Sequence, residues 1–168
     1  MNLKILNLYR QADDRIVRWL SQNSLWILRV SIGIVYIWFG ALKFIPGASP
    51  AEGLIRESLP FLPMDLFIPF LAIWEILIGL GFIIGRYMRV IIFVMMMQMV
   101  GTVSPIILNP EAVFVQFPFV LTMEGQYIIK NAVLIAGALV IGATVRGARL
   151  ANSEKESAFP LQTSASTQ

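Results

Sequence analysis

The sequence predicts an all-α fold, a transmembrane four-helix bundle with an N-terminal interfacial helix and a short outer-loop helix. Two properties of the 168 residues support this prediction, since 57% of them are hydrophobic and the mean hydropathy is +0.74. Soluble domains have much lower values. The third observation is that four apolar runs are long enough to cross a bilayer.

The four apolar runs define a transmembrane domain over residues 25–145. A helix needs about 20 apolar residues to cross a hydrocarbon core of about 30 Å. Because unpaired backbone groups in lipid cost several kcal/mol each, all of these runs are predicted to be helices. The predicted spans cover Leu25 to Phe44, Leu66 to Gly85, Val90 to Leu108, and Gln126 to Val145.

Residues 1–24 precede the first span and predict a cytoplasmic interfacial amphipathic helix. Tyr9, Ile16 and Trp19 follow one another at helical spacing, while most charged residues lie elsewhere on the helical wheel. A targeting role is the alternative. The Trp and Arg content favours an anchoring helix on the cytoplasmic leaflet.

The first outer loop contains the pattern Ser49-Pro50-Ala51-Glu52. A Ser at the N-cap, a Pro at the first helical position and a Glu that bonds back to the cap are typical of a helix start. A short helix from Ala51 to Leu59 should therefore lie across the outer mouth of the bundle.

The second outer loop and the C-terminal tail differ in composition. The loop from Asn109 to Gly125 is rich in Phe and Val, so we expect it to pack at the interface or over the bundle. Residues 146–168 are rich in Ser, Thr, Gln and Glu and have few apolar anchors. This composition predicts a disordered cytoplasmic tail.

Basic residues lie mainly on one predicted side of the membrane. They occur in the N-terminal stretch, in the link between spans two and three and after span four, whereas the opposite loops are mostly acidic. The positive-inside rule therefore puts both termini in the cytoplasm. The basic residues of the cytoplasmic side are Lys4, Arg10, Arg15, Arg18, Arg86, Arg89, Arg146, Arg149 and Lys155.

The composition excludes several function classes. There is no Cys and no His, so thiol chemistry and the usual haem and zinc ligands are missing, and no metal site is predicted. The net charge is only +3, and the basic residues are scattered around apolar segments, so nucleic acid is not an expected partner. The lipid bilayer is the expected environment.

Polar residues inside the predicted spans form the candidate site. A charge at the bilayer centre costs about 2.5–3.5 kcal/mol on insertion scales, so such residues seek partners inside the bundle. Glu75 lies near the middle of span two and Lys130 near the outer end of span four, at depths from which they are expected to pair. The predicted cluster in the outer half of the bundle comprises Lys43, Glu75, Gln98, Glu124, Lys130 and Asn131.

Small residues accompany these polar residues on single helix faces. Small side chains let helix backbones approach closely in lipid, so these faces should meet inside the bundle. The faces comprise Gly33, Tyr36, Gly40 and Lys43 in span one, and Ala72, Glu75, Gly79 and Phe82 in span two.

Three stretches resemble the DoxX-like superfamily of small four-span bacterial membrane proteins. They are Trp38 to Phe44, the lone Glu75 of the second span, and Glu124 to Asn131, and the resemblance covers about Leu25 to Val145. The nearest branch is that of the inner-membrane protein of the reactive-chlorine resistance operon. The resemblance implies a bundle in a bacterial inner membrane, a link to redox physiology and oxidative stress, and site residues Lys43, Glu75 and Lys130.

Two functional hypotheses remain open. In the first, the chain is an accessory of a membrane redox system, and its outer-half pocket binds a small hydrophobic or quinone-like ligand. Lys43 or Lys130 then donates to a carbonyl oxygen and Glu75 moves or balances the proton. The second-tier candidates to line this pocket are the aromatic residues Tyr36, Trp38 and Trp74.

In the second hypothesis, the chain is a non-catalytic assembly or partner subunit. It associates with a second copy of itself or with a membrane redox partner, and the buried ion pair is purely structural. A stand-alone enzyme is not expected under either hypothesis. Transport ranks last, because four helices offer little room for a gated path.

Overall fold

The computed structural model describes residues 3–145, and four of its helices are long and apolar enough to cross a membrane. This confirms the predicted all-α transmembrane bundle. The predicted tail, residues 146–168, lies outside the described residues. The elements in chain order are α1 (Leu3–Leu42), α2 (Pro50–Ser58), α3 (Met64–Ile84), α4 (Met88–Val103), α5 (Pro105–Leu108), α6 (Pro110–Val113), β1 (Phe114–Gln116), β2 (Val120–Leu121) and α7 (Met123–Thr144).

Helix α1 is one continuous helix of 40 residues, which makes it about 60 Å long. The predicted leader helix is therefore joined to the first span without a break. The Ser21 and Asn23 side chains donate to the carbonyl oxygens of Arg18 and Trp19 one turn earlier, at 2.9 and 2.8 Å, so they do not start a new helix. The side chains of residues 9–22 are all exposed, and their interfacial position stays a prediction.

The four long helices form a ring in which α1 and α4 each pack against both α3 and α7. At their glycines, α1 and α3 approach each other through backbone atoms. A Cβ at Gly79 would lie 2.6 Å from the carbonyl oxygen of Gly33, and a Cβ at Gly40 would lie 3.0 Å from that of Ala72. The predicted small-residue faces of the first two spans therefore meet as expected.

The interior of the bundle is apolar, and so is most of its outer surface. Ile78, Phe82 and Met95 are fully buried between the long helices. Many apolar side chains on the opposite helix faces are exposed, including Leu66 and Val133. A bundle with apolar residues on both its inner and outer faces is suited to lipid rather than water.

The outer end of the bundle is defined by α2, α5, α6 and the strands β1 and β2. An apolar cluster of Leu54, Val113 and Ile128 holds α2 and α6 against α7. The short helix α2 is present where the sequence predicts it, with Pro in its first turn. Ser49 is the N-cap residue as predicted, but the predicted capping bond is wrong, because the Ser49 hydroxyl makes no such bond. The Glu52 carboxylate bonds elsewhere, as described below.

The loop before α7 contains an antiparallel hairpin that the sequence did not predict. In it Phe114 pairs with Leu121 and Gln116 with Val120. The side chains at its tip are exposed, with 73% of Phe117 and 89% of Phe119 accessible. The base of the hairpin packs over the bundle at the buried Val113, whereas the contact of its apolar tip with the membrane interface stays a prediction.

The close contact at Gly79 predicts that adding one methyl group there lowers the stability of the protein. In Gly79→Ala, the new Cβ would meet the backbone of α1, so the two helices have to separate. We expect the free energy of unfolding to fall by about 1–3 kcal/mol, the usual cost of overpacking. A lower midpoint of thermal unfolding in detergent would show this loss.

Gly101→Ala is the matched control, because a Cβ at Gly101 would meet nothing within 4 Å. It should leave the midpoint unchanged or raise it, since Ala favours helix more than Gly. Similar midpoints for the two variants would contradict the close α1–α3 contact.

Candidate functional site

Glu75 is the centre of a buried hydrogen-bond network that joins three helices. Its Oε2 atom accepts from Nζ of Lys43 at 2.6 Å, and its Oε1 atom accepts from Nε2 of Gln98 at 2.8 Å. Lys43 directly follows α1, Glu75 lies in the middle of α3, and Gln98 lies in α4. Both carboxylate oxygens therefore have partners, which a charge shielded from water requires.

The close approach of α1 and α3 explains why Lys43 is the partner. Gly40 lies one turn before Lys43, and a Cβ at Gly40 would be 3.1 Å from the Cβ of Glu75. Because Gly40 has no side chain, the backbone of α1 lies directly beside Glu75, and Lys43 reaches the carboxylate from the same face. The Lys43 ammonium also lies 3.4 Å from the carbonyl oxygen of Phe39.

The predicted pairing of Glu75 with Lys130 is wrong. Lys130 is exposed, and its Nζ lies 5.3 Å from the centroid of the Tyr127 ring on the same helix. Depth in the membrane allows either lysine to reach Glu75. Helix adjacency decides between them, since α1 touches α3 through glycines and brings Lys43 to the carboxylate.

A cavity of about 530 Å³ lies beside the network at the outer end of the bundle. Residues of α1, α3, α4, α5 and α7 line it, and Leu54, Ile55 and Ser58 of α2 form one further wall. Most of the wall is apolar. The structure brings all members of the predicted polar cluster to this cavity, together with Tyr36: Lys43, Glu75, Gln98, Glu124, Lys130 and Asn131.

Two second-tier candidates, Trp38 and Trp74, are not among the residues that line the cavity, so the prediction is wrong for them. The Trp38 side chain is 64% exposed on the outside of the bundle. Trp74 is half-buried, packs against Phe70 and supports the apolar core. Residues two apart on a helix point about 200° apart, so Tyr36 faces the cavity while Trp38 faces outward.

Sequence reasoning missed several hydroxyl residues of the cavity wall. Ser49 directly precedes α2 and Ser58 is its last residue, while Thr102 lies in the last turn of α4 and Ser104 directly follows that helix. For Ser58 a signal was present, because it shares a helix face with the apolar Leu54 one turn earlier. For Ser49, the capping pattern predicted a bond from its hydroxyl to the backbone of α2. In the structure this buried residue lines the cavity instead.

Four buried polar atoms on residues of the cavity wall have no hydrogen-bond partner among residues 3–145. They are the hydroxyl oxygens of Tyr36, Ser49 and Ser58, and Oε1 of Gln98. Tyr36 is only 5% exposed and Ser49 only 6%. Buried polar groups in proteins are almost always satisfied, so these atoms mark a place where a bound molecule or water can supply the missing bonds.

Glu52 ties the start of α2 to the turn that follows α1. Its Oε2 atom accepts from the backbone N–H of Gly47 at 3.1 Å, and its Oε1 atom accepts from Arg56 at 3.0 Å. The Gly47 N–H first, and then Arg56, hold the pKa of this carboxyl below its usual value. Gly47 has φ of +74°, a conformation that suits glycine.

The buried network predicts that Glu75 matters far more than Lys130 for stability. In Glu75→Gln the buried Lys43 ammonium loses its counter-charge, and breaking a buried pair costs about 3–5 kcal/mol. The exposed Lys130→Gln should change the free energy of unfolding by no more than about 0.5 kcal/mol. Thermal unfolding in detergent separates the two results, and equal midpoints for the two variants would contradict the network.

The tie at Glu52 predicts a dependence on pH. Because its folded-state pKa is lowered, the stabilisation is present above the pKa of the unfolded chain and is lost as pH falls through the folded-state pKa. Hydrogen exchange at Gly47, corrected for its intrinsic rate, should rise on acidification. Glu52→Gln should show fast exchange already at neutral pH, and slow exchange in that variant would argue against the tie.

Comparison with known proteins gives a family for this architecture. The DoxX family model matches residues 24–109, about half of the chain. The matched region contains the first three spans and, with them, Lys43, Glu75 and Gln98. No curated protein and no solved structure shows significant similarity to the chain. The chain therefore belongs to the DoxX family and is a multi-pass membrane protein.

Proposed function

We propose that the cavity at the outer end binds a small hydrophobic molecule with a polar head, of the quinone class, and that the protein is an accessory of a membrane redox system. The observation that carries this proposal is the set of buried polar atoms without partners on an otherwise apolar wall. The volume of about 530 Å³ is in the range of small-molecule sites.

The chemistry of the unpartnered atoms suits a quinone head. The Tyr36 hydroxyl can donate to a carbonyl oxygen, and Oε1 of Gln98 can accept from the hydroxyl of a reduced, quinol form. The hydroxyls of Ser49 and Ser58 can do either. A ring with oxygen atoms at opposite ends can use partners at two places on the wall while its apolar edge contacts the remainder.

The two lysines take different parts in this proposal. Lys43 already bonds to Glu75, so the pair has opposite charges that balance and does not present a free ammonium to the cavity. Lys130 is exposed, lines the cavity and has its Nζ over the Tyr127 ring, so it is the lysine that can turn toward a carbonyl oxygen. Glu75 lies beside the cavity, where it can balance charge on a bound head.

The cellular setting is part of the same proposal. Arg10, Arg15 and Arg18 precede the buried part of α1, Arg86 lies in the link between α3 and α4, and Arg89 lies in the first turn of α4, at the end opposite the cavity. The positive-inside rule then supports a bacterial inner membrane with both termini in the cytoplasm. Resemblance to the reactive-chlorine resistance branch supports a role in oxidative stress.

One observation favours a second function. Both carboxylate oxygens of Glu75 already bond to side chains of the protein, which is what a purely structural ion pair requires. The chain would then be a non-catalytic partner subunit, joined to a second copy or to a redox protein. Under this alternative the cavity binds no quinone, so a binding measurement separates the two functions.

The quinone proposal predicts a specific effect of removing one hydroxyl. In Tyr36→Phe, the affinity of the purified protein for decylubiquinone or a short-chain menaquinone should fall at least about fivefold, because an unmade buried hydrogen bond costs about 1–3 kcal/mol. Titration in detergent micelles, followed by quenching of Trp fluorescence, measures the dissociation constant. Stability should not fall, since this hydroxyl has no partner in residues 3–145.

Two controls accompany the titration. Tyr9→Phe changes an exposed tyrosine far from the cavity and should leave the affinity unaltered. Decylbenzene, which lacks oxygen atoms, should not compete with the quinone. An absence of saturable quinone binding, or equal affinities for the wild type and Tyr36→Phe, would reject the quinone site in favour of the partner-subunit function.

A further inference from the structure

A second concave site lies at the end of the bundle opposite the cavity. This basic groove has a volume of about 610 Å³ and lies between α1, the α3–α4 link, the first turn of α4 and the end of α7. No carboxylate is among the described residues that line it. Its polar and aromatic residues are Gln22, Trp26, Arg29, Tyr87, Arg89 and Thr144.

Arg29 is the unusual residue of the basic groove. It lies within the first candidate span, and its Nε atom is buried without a hydrogen-bond partner in the described part of the chain. Between residues 3 and 145, the salt bridges are Lys43–Glu75 and Arg56–Glu52, and neither includes Arg29. Arg29 is half-buried near hydrocarbon, and its unpaired Nε makes this charge costly, so the site favours an anion.

Gly85 lies directly against the Arg29 side chain. A Cβ at Gly85 would overlap the Arg29 guanidinium, so in the observed arrangement the guanidinium occupies space that a side chain at Gly85 would fill. Gly85 also ends α3 with φ of +75°, a left-handed conformation that suits glycine. The Arg29 guanidinium and the end of α3 therefore lie at the same level of the bundle.

This level lies just inside the edge of the hydrocarbon core. Lys43, directly after α1, follows Arg29 by 14 residues, or about 21 Å, so when both are centred in a core of about 30 Å each lies roughly 4–5 Å inside its edge. Trp26 and Tyr87 flank Arg29 in the groove, and such aromatic residues are typical of membrane interfaces. Lipid phosphate groups lie just beyond this edge, within reach of a long Arg side chain.

We propose that the basic groove binds the phosphate group of an anionic phospholipid. Arg29 donates two hydrogen bonds to the phosphate oxygens, and Arg89, exposed on the groove wall, supplies a second positive charge. Leu25, Val90 and Ile141 in the same wall contact the apolar part of the lipid. A lipid rather than a soluble phosphate ester fits this combination of charge and apolar wall.

Native mass spectrometry of the detergent-solubilised full chain, titrated with dioleoyl phosphatidylglycerol, tests the proposal. The wild type should retain phosphatidylglycerol at least about tenfold better than dioleoyl phosphatidylcholine, and glycerol phosphate should bind far more weakly than either. Arg29→Gln should lose about tenfold in phosphatidylglycerol affinity and Arg89→Gln about threefold. Arg56→Gln, at the outer end, is the matched control and should bind as the wild type.

Several results would overturn the lipid site. They are an unchanged affinity in the folded Arg29→Gln variant, an equal loss in Arg56→Gln, or equal retention of the two phospholipids by the wild type. Binding of glycerol phosphate as tight as that of the lipid would show a soluble phosphate site instead. If Arg29→Gln does not fold, an unchanged affinity in Arg89→Gln, whose side chain is exposed, would reject the proposal by itself.

Discussion

The direct backbone contact between α1 and α3 is the constraint on which the rest of the structure depends. Gly33 and Gly79 lie against each other's carbonyl oxygens, and Gly40 extends the contact toward the outer end. In lipid there is no hydrophobic drive to bring two apolar helices together, so close packing has to supply the association. The pairing of Glu75 with Lys43, and with it the buried network beside the cavity, follows from this contact.

The fold could be predicted from the sequence because each membrane span is recognisable from its own residues. An apolar run of about 20 residues specifies a span whatever helices pack beside it. The faces with glycine and polar residues were also readable, and the structure brings the faces of the first two spans together. The hairpin was not predicted, since its strands are only three and two residues long and no alternating apolar pattern marks them.

The sequence predicted which polar residues come together, but not which of them form hydrogen bonds with each other. Depth along each helix follows from a rise of about 1.5 Å per residue, and it places Lys43 and Lys130 within reach of the same carboxylate. Which lysine is adjacent depends on the order of helices around the ring, and that order is a tertiary property. Tyr36 illustrates what could be read, because it shares a helix face with Lys43, whereas Trp38 does not.

The uninterrupted length of α1 has a mechanical consequence. From Arg29 back to Leu3 the helix runs for 26 residues, or about 39 Å, and the side chains of residues 9–22 are all exposed. In a continuous helix of this length, a change in tilt at one end displaces the other end. A change in tilt of about 10° at the bundle would move the far tip by about 7 Å, an amplification that follows from helix geometry.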